Sequence, residues 1–356
     1  MRSKDMNNRS FLKKFFCNPY IKCSLLRIVL LVIATAISLK VLFFTNNTNA
    51  GCSEPSPSTK QSMNNQSFNL YIYTDLVQGI PIYINSDYIE KSPIFKQVFA
   101  GKYVIIAKPI NHIGSIRYLT LKSGDEKDQK IILPVDRHSY QEFLDEIVRL
   151  GYQTIRVMGY YNHVQITKKI IVMRHDVDVS AEVALKMAEE EHARGIKSTY
   201  YFRWSTADTR VIKALQAMGF EVGLHYETLA TYAKEYHLKS AQEITPTVKK
   251  ELRRRLKSEI REFKQRFGEI YTISSHGAEE NIKLGVSNYE AIMEGQDPHN
   301  YGILGTAYGP ITKQFTYMSE SDGLWDPFPY PKLENGDGPF YILTHPIHWT
   351  TSFNGI

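Results

Sequence analysis

Cysteine is nearly absent and confined to one end. Of 356 residues only Cys17, Cys23 and Cys52 are cysteines, and all three precede the first stretch with the composition of a folded domain. No disulfide framework and no thiolate metal site can therefore be built inside the globular part. A charge excess is missing as well. The chain carries 43 Lys and Arg against 37 Asp and Glu, a net charge of +6, but eight of those cations and only one of those acids fall in the first fifty residues. Beyond Ala50 the balance is 35 to 36, so the footprint of a nucleic-acid-binding protein is not there and no nucleic-acid partner is expected. Apolar residues are scarce between Thr45 and Ser67, where Asn, Ser, Pro, Thr and Gln predominate. A segment with so little to bury is expected to be a flexible linker over 45–67.

What is present begins with a long apolar run. Ser24–Phe44 is close to the ~20 residues that cross a bilayer, with Arg27 and Lys40 near its ends, where their long side chains can reach the interface. Arg2, Lys4, Arg9, Lys13, Lys14, Lys22 and Arg27 precede or open it, while Thr45–Thr59 has neither Lys nor Arg. The positive-inside rule then predicts a basic cytoplasmic tail over 1–23 and a transmembrane anchor over 24–44. Everything that follows is expected outside the cytoplasm on a single-pass protein. The competing reading is a signal peptide cut near Thr48-Asn49-Ala50, which Lys40 and the polar gap before that point disfavour.

From Phe68 to Pro134 no helical period competes with short alternating segments at Leu70–Tyr73, Ile80–Ile84, Tyr103–Ala107, Tyr118–Leu121 and Lys130–Leu133, separated by Gly, Asn, Asp and Pro turns. The order Gly79-Ile80-Pro81-Ile82-Tyr83-Ile84-Asn85, Ser92-Pro93 and Ala100-Gly101-Lys102-Tyr103-Val104 resembles the PEGA module. That resemblance implies a small β-sandwich over 68–134, a spacer or adhesion module without residues for chemistry. With 23 Tyr and 17 Phe the chain has aromatics enough for sugar platforms, and equally for ordinary strands.

A different regime covers 135–356. Ser139 with Glu142 makes a capping box before an apolar face of Phe143, Leu144, Ile147 and Leu150. Ile170-Ile171-Val172-Met173 reads as a strand buried on both faces, and it runs into Arg174-His175-Asp176-Val177-Asp178. Helices are predicted from Ala181 to Gly195, near Ala207–Met218 and over Thr247–Phe267. They alternate with strands Ser198–Phe202, Phe220–Leu224, Tyr271–Ser275 and Phe340–Thr344, an order that predicts a parallel α/β sheet, open or rolled into a barrel. Asp176 and Asp178 leave their strand on the same face. They either cap the next helix or share a cation. His225, His276 and His345 likewise come directly after strands, so all five should meet on one rim. Carboxylates and imidazoles with an open position suit a catalytic Zn²⁺ or related divalent ion, and hence hydrolysis.

The succession Arg174-His175-Asp176-Val177-Asp178, Gly223-Leu224-His225-Tyr226-Glu227, Ser274-Ser275-His276-Gly277, Ser321-Asp322-Gly323-Leu324-Trp325 and Leu343-Thr344-His345-Pro346 resembles the polysaccharide deacetylase superfamily. The likeness runs from about Ser139 to the end. It implies a distorted (β/α) barrel that removes acetyl groups from an acetylated glycan with a metal, Zn²⁺ being the expected ion. By this resemblance Asp176 is the base and Asp178 a ligand, although Val177 between them leaves that order open. His225 is a ligand, His345 the acid, and Asp322 the group that orients it. The family's second histidine ligand would stand at Leu229, and His276 is the expected substitute, with Glu227 or a water as the fallback. Tyr226, Trp325 and Trp349 are expected as sugar-stacking walls. Two other readings stay open, a catalytically inactive carbohydrate-binding relative and a metal amidohydrolase acting on a non-sugar amide.

Overall fold

Alternation of Phe68, Leu70 and Ile72 with polar or aromatic neighbours builds the first of seven strands in the N-terminal part of the computed structural model, which describes residues 66–75, 79–110 and 112–353. The basic tail, the expected anchor at 24–44 and the linker as far as residue 65 lie outside the described residues. Among the described residues no helix is long and apolar enough to cross a membrane. The seven strands are β1 (Ser67–Thr74), β2 (Pro81–Ile84), β3 (Asp87–Lys91), β4 (Ile94–Phe99), β5 (Gly101–Ala107), β6 (Gly114–Leu121) and β7 (Asp128–Leu133). They form one sheet ordered β4-β1-β7 and another that includes β6-β5-β2-β3. Phe68, Leu70, Ile72, Ile82, Ile105 and Leu133 fill the shared core between the two sheets, and β1, β2, β5, β6 and β7 stand where the alternation predicts strands. β3 and β4 were not expected. They are edge strands whose side chains are mostly exposed, so the burial signal that marks the other strands is missing from them.

The remaining strands are β8 (Gln153–Ile155), β9 (Ile170–Val177), β10 (Thr199–Phe202), β11 (Glu221–Tyr226), β12 (Thr272–Ser275), β13 (Gly305–Thr306), β14 (Thr316–Ser319), β15 (Leu324–Trp325) and β16 (Phe340–Thr344). Apart from β15 they make a sheet ordered β13-β12-β11-β10-β9-β16-β14, with β8 added at the start of β9. All its ladders are parallel. It is a curled half-barrel, for β13 and β14 end its strand order, with only an isolated antiparallel bridge from Ser319 to Asp326 beyond β14. The fold is thus mixed α/β with a parallel sheet, as the alternation of elements predicts, and the barrel is not closed by a strand ladder.

Helices wrap the outside, and local chemistry starts them. Ser139 and Glu142 form the expected capping box on helix Tyr140–Arg149. Ser180 caps Ala181–Ala193, and Thr245 caps Pro246–Phe267. The two faces of each strand then separate cleanly. On β9, Ile171 and Met173 pack against Tyr140, Phe143 and Val183 of the helices, while Ile170 and Val172 meet Tyr201 and Tyr341 inside the curl. By the same alternation Arg174 and Asp176 face inward and His175 faces the helices. On β11, Val222, Leu224 and Tyr226 join the helix layer, which turns Gly223 and His225 inward.

Gly223 has a steric reason to be glycine. A Cβ there would stand 2.5 Å from both the Thr272 carbonyl oxygen and the Tyr201 ring. Tyr201 cannot swing away, because its hydroxyl is hydrogen-bonded to Thr272 Oγ1 at 2.5 Å in the buried interior. Gly223→Ala is expected to lower the unfolding free energy by about 1–3 kcal/mol, the cost of overpacking; an unchanged urea midpoint would contradict this contact.

The sandwich is welded to the half-barrel. β15 pairs in parallel with Gly114 and Ser115 of β6, and Ile113 bridges Asp136. Buried Asp136 accepts hydrogen bonds from Trp325 Nε1 (2.7 Å), the Tyr330 hydroxyl (3.2 Å) and the His138 backbone N–H (3.0 Å).

Candidate metal centre and catalytic rim

Asp178 sits just past the end of β9, and three imidazoles face it. Its Oδ1 is 3.4 Å from His225 Nε2 and 3.6 Å from His276 Nε2, and its Oδ2 is 3.9 Å from His345 Nε2. Asp176 Oδ2 lies 3.6 Å from His225 Nε2 and 3.0 Å from Arg174 Nη2. The structure therefore brings all five expected groups onto one rim, as parity and strand ends predict. Asp178, His225 and His276 each offer a ligand atom within 4.8 Å of the other two. That is an oxygen and two nitrogens, a donor set suited to Zn²⁺ or a related divalent ion.

A fit to a cation shows in what these groups lack. Asp176 Oδ1 and Asp178 Oδ1 are both buried without a hydrogen-bond partner, a costly state for carboxylate oxygens unless a positive charge meets them. Burial pushes the Asp178 carboxyl up, but His225, His276 and His345 outweigh it and hold the group well below the usual carboxylate range. Two imidazoles are also steered from behind. His225 Nδ1 is 3.2 Å from the Ser274 carbonyl oxygen, an interaction that leaves Nε2 free for the centre. His276 Nδ1 stands 2.8 Å from Glu227 Oε1, and Arg203 grips Glu227 with two hydrogen bonds of 2.9 and 3.0 Å. Burial acts to raise Glu227, yet His276 and Arg203 prevail and hold it at about 2. Arg203 also donates to the Asp178 carbonyl at 3.2 Å.

Leu229 is fully buried among the helix-side apolar residues. A ligand cannot be presented from there, and His276 on the far side of β11 occupies the third corner instead. Glu227 touches His276 and not Asp178, so it stands behind the centre.

Arg174, two residues before Asp176 on the same strand, is a site residue that the motif alone does not mark. Its guanidinium is wholly buried, donating to Asp176 Oδ2 (3.0 Å), the Tyr308 hydroxyl (2.6 Å), the Tyr341 hydroxyl (3.0 Å) and the Ala307 carbonyl (3.0 Å). A guanidinium so enclosed fixes the direction in which the Asp176 carboxylate points. The signal for it was available: an arginine inside an apolar strand, on the parity of Asp176.

His345 is held by a residue the sequence reading did not single out. Glu320, fully buried after β14, accepts from the His345 backbone N–H, from His345 Nδ1 at 2.8 Å and from His348 Nδ1 at 2.9 Å. Burial alone would lower His345, but the Glu320 charge and hydrogen bond win and push it up to about 9. Asp322, expected in this role, is exposed on a turn with φ 58°. Glu320, His345 and His348 also form a second group with metal-ligand spacing, but its atoms are already joined by hydrogen bonds.

The expected sugar-stacking walls are corrected too. Trp325, Trp349 and Tyr226 are 0%, 2% and 1% exposed. Trp325 is spent on Asp136, Trp349 Nε1 donates to Glu320 at 3.3 Å, and Tyr226 points into the helix layer because His225, its neighbour, points inward. None offers a ring face to a substrate at the rim.

No protein-family model matches the chain, and no curated protein matches it.

Proposed function

We propose that the chain is a metal-dependent deacetylase of acetylated glycans, anchored by residues 24–44 so that its half-barrel works outside the cytoplasm. One observation carries the reading. Asp178, His225 and His276 converge with unpartnered oxygen on an inner rim that also carries a second carboxylate, Asp176, and an imidazole, His345.

Asp178, His225 and His276 would hold the ion, which when bound supplies Lewis acidity toward a carbonyl oxygen and water. Asp176, fixed by Arg174, takes the proton from the attacking water. His345, charged because Glu320 stands behind it, faces the same space with Nε2 and gives a proton to the departing amine or alcohol. Buried Arg174 aims Asp176 through a 3.0 Å hydrogen bond, and the Glu320 charge behind His345 keeps that imidazole protonated, so the two sides of the rim serve separate roles as acid–base hydrolysis needs.

The test pairs elemental analysis of purified protein with acetate release from acetylated glycans, run beside cyclic and linear non-sugar amides. Expected are about one divalent ion per chain and acetate from the glycans. Release from the other amides alone would replace the substrate class, and protein that binds no metal and releases nothing would end the reading.

A further inference from the structure

Where the sandwich meets the C-terminal end of the chain, a cleft of about 200 Å³ opens between three segments. His112 comes from the sandwich, Arg137 and His138 from the connection before the first helix, and His348, Thr351 and Ser352 from the turn after β16. The cleft is one side chain away from the rim. His348 shares the Glu320 carboxylate with His345, their ring centroids 5.5 Å apart, and His345 Nε2 faces Asp178. We propose that this cleft is a glycan subsite, seating a sugar ring of the same chain whose acetyl group lies at the rim. The proposal rests on the deacetylase reading for the direction of that chain.

The lining chemistry selects the occupant. Its two acids are already engaged. Asp136 is taken by Trp325, Tyr330 and His138, and Glu142 accepts from the backbone and hydroxyl of Ser139. No pair of free carboxylates faces the cleft to hold a cation between them. Only Ile113 and buried Trp349 are apolar side chains among the lining residues, and the cleft is too small for a lipid. What remains is a ring of neutral and cationic hydrogen-bonding groups around a flat surface. The His138 imidazole lies on Tyr330, with centroids 4.3 Å apart, and is about half exposed. Ser352 Oγ accepts from the Tyr140 backbone N–H, which leaves its own proton to donate. Flat surface plus interleaved donors and acceptors suits a polyhydroxylated ring.

This gives the sandwich a job beyond spacing. The β15–β6 pairing, the Ile113–Asp136 bridge and the Trp325–Asp136 bond hold its edge against the half-barrel, and one wall of the cleft exists only because they do.

The experiment uses the full chain with Thr351→Trp, which fills the cleft from an exposed position, and Arg137→Ala, which removes a donor at its mouth. Acetate release is measured on an N-acetylated amino-sugar monomer, its dimer and longer oligomers, and binding of fully deacetylated oligomer is followed separately by calorimetry. The longer oligomers should be favoured in the parent protein through remote contacts, by about tenfold in kcat/KM, and Thr351→Trp should erase that preference while the monomer rate stays put. Arg137→Ala should weaken it. Deacetylated oligomer should bind the parent and not Thr351→Trp. Unchanged length preference or unchanged oligomer binding in Thr351→Trp overturns the subsite. A parent protein that binds oligomer at the cleft but releases no acetate keeps the subsite and removes the deacetylase reading; one that binds no oligomer removes the subsite.

Discussion

His225→Ala and Asp178→Ala are expected to empty the centre, taking divalent metal from about one per chain to near zero and turnover with it. Among the described residues Asp178, His225 and His276 are the trio that converges with ligand spacing there, and two remaining members cannot by themselves fix a coordination geometry. Asp176→Asn and His345→Ala should behave differently. Neither belongs to the convergent trio, so the metal stays while kcat drops by about 10²–10⁴, the usual contribution of a positioned acid or base. His276→Leu decides the third corner. Loss of metal puts His276 in the ligand set, whereas retention would hand that place to Glu227 or water. Elemental analysis alongside initial rates separates the classes, and equal metal content in all five variants would refute the assignment of roles. Asp176→Asn also carries a stability signature. It removes the negative partner of a buried arginine, and leaving such a charge uncompensated costs about 3–5 kcal/mol, softened here because asparagine keeps an oxygen for the guanidinium.

Most of the half-barrel was readable because its central strands are buried on both faces and four of its helices, the three longest among them, begin with Ser, Thr or Asp caps. The rim was readable for a related reason: a titratable residue directly after an apolar strand has one place to go in a parallel sheet. The same alternation also rules out Tyr226 as a sugar wall, since a strand that turns His225 inward must turn Tyr226 outward. Glu320 gave no such signal. It follows Thr316-Tyr317-Met318-Ser319, a short strand of mixed polarity at a sheet edge, and Asp322 two residues on looked like the better acid in the motif. Trp325 was hidden for a different reason, its environment being made by Asp136, 189 positions away in sequence. Long-range pairings of that kind leave no local pattern, and neither does the β15–β6 weld, in which two residues of the half-barrel segment complete a sheet of the sandwich.

Glu320→Gln is expected to move the alkaline limit of activity to lower pH. In the folded protein His345 is raised to about 9, so the donor is charged through neutral pH and activity should fall only as pH rises through that region. Glutamine keeps the size of the side chain and an oxygen for Nδ1, but not the charge that opposes burial. Returned to its ordinary value of about 6.5, the imidazole would be only ~1% protonated at pH 8.5, so the rate there should drop by about 100-fold against the parent, and much less at pH 6. A bound divalent ion lowers the limb in both proteins alike, which makes the difference between them the quantity to read. Stability follows the same sign. A folded-state value above the unfolded one stabilises fully below about 6.5 and is lost as pH rises through about 9, so Glu320→Gln should be penalised most in neutral and mildly acidic solution. His348→Ala, which leaves the Glu320–His345 pair intact, should keep the parental limb. Coincident alkaline limbs for the parent and Glu320→Gln would remove His345 as the proton donor, and the departing group would have to take its proton from elsewhere on the rim.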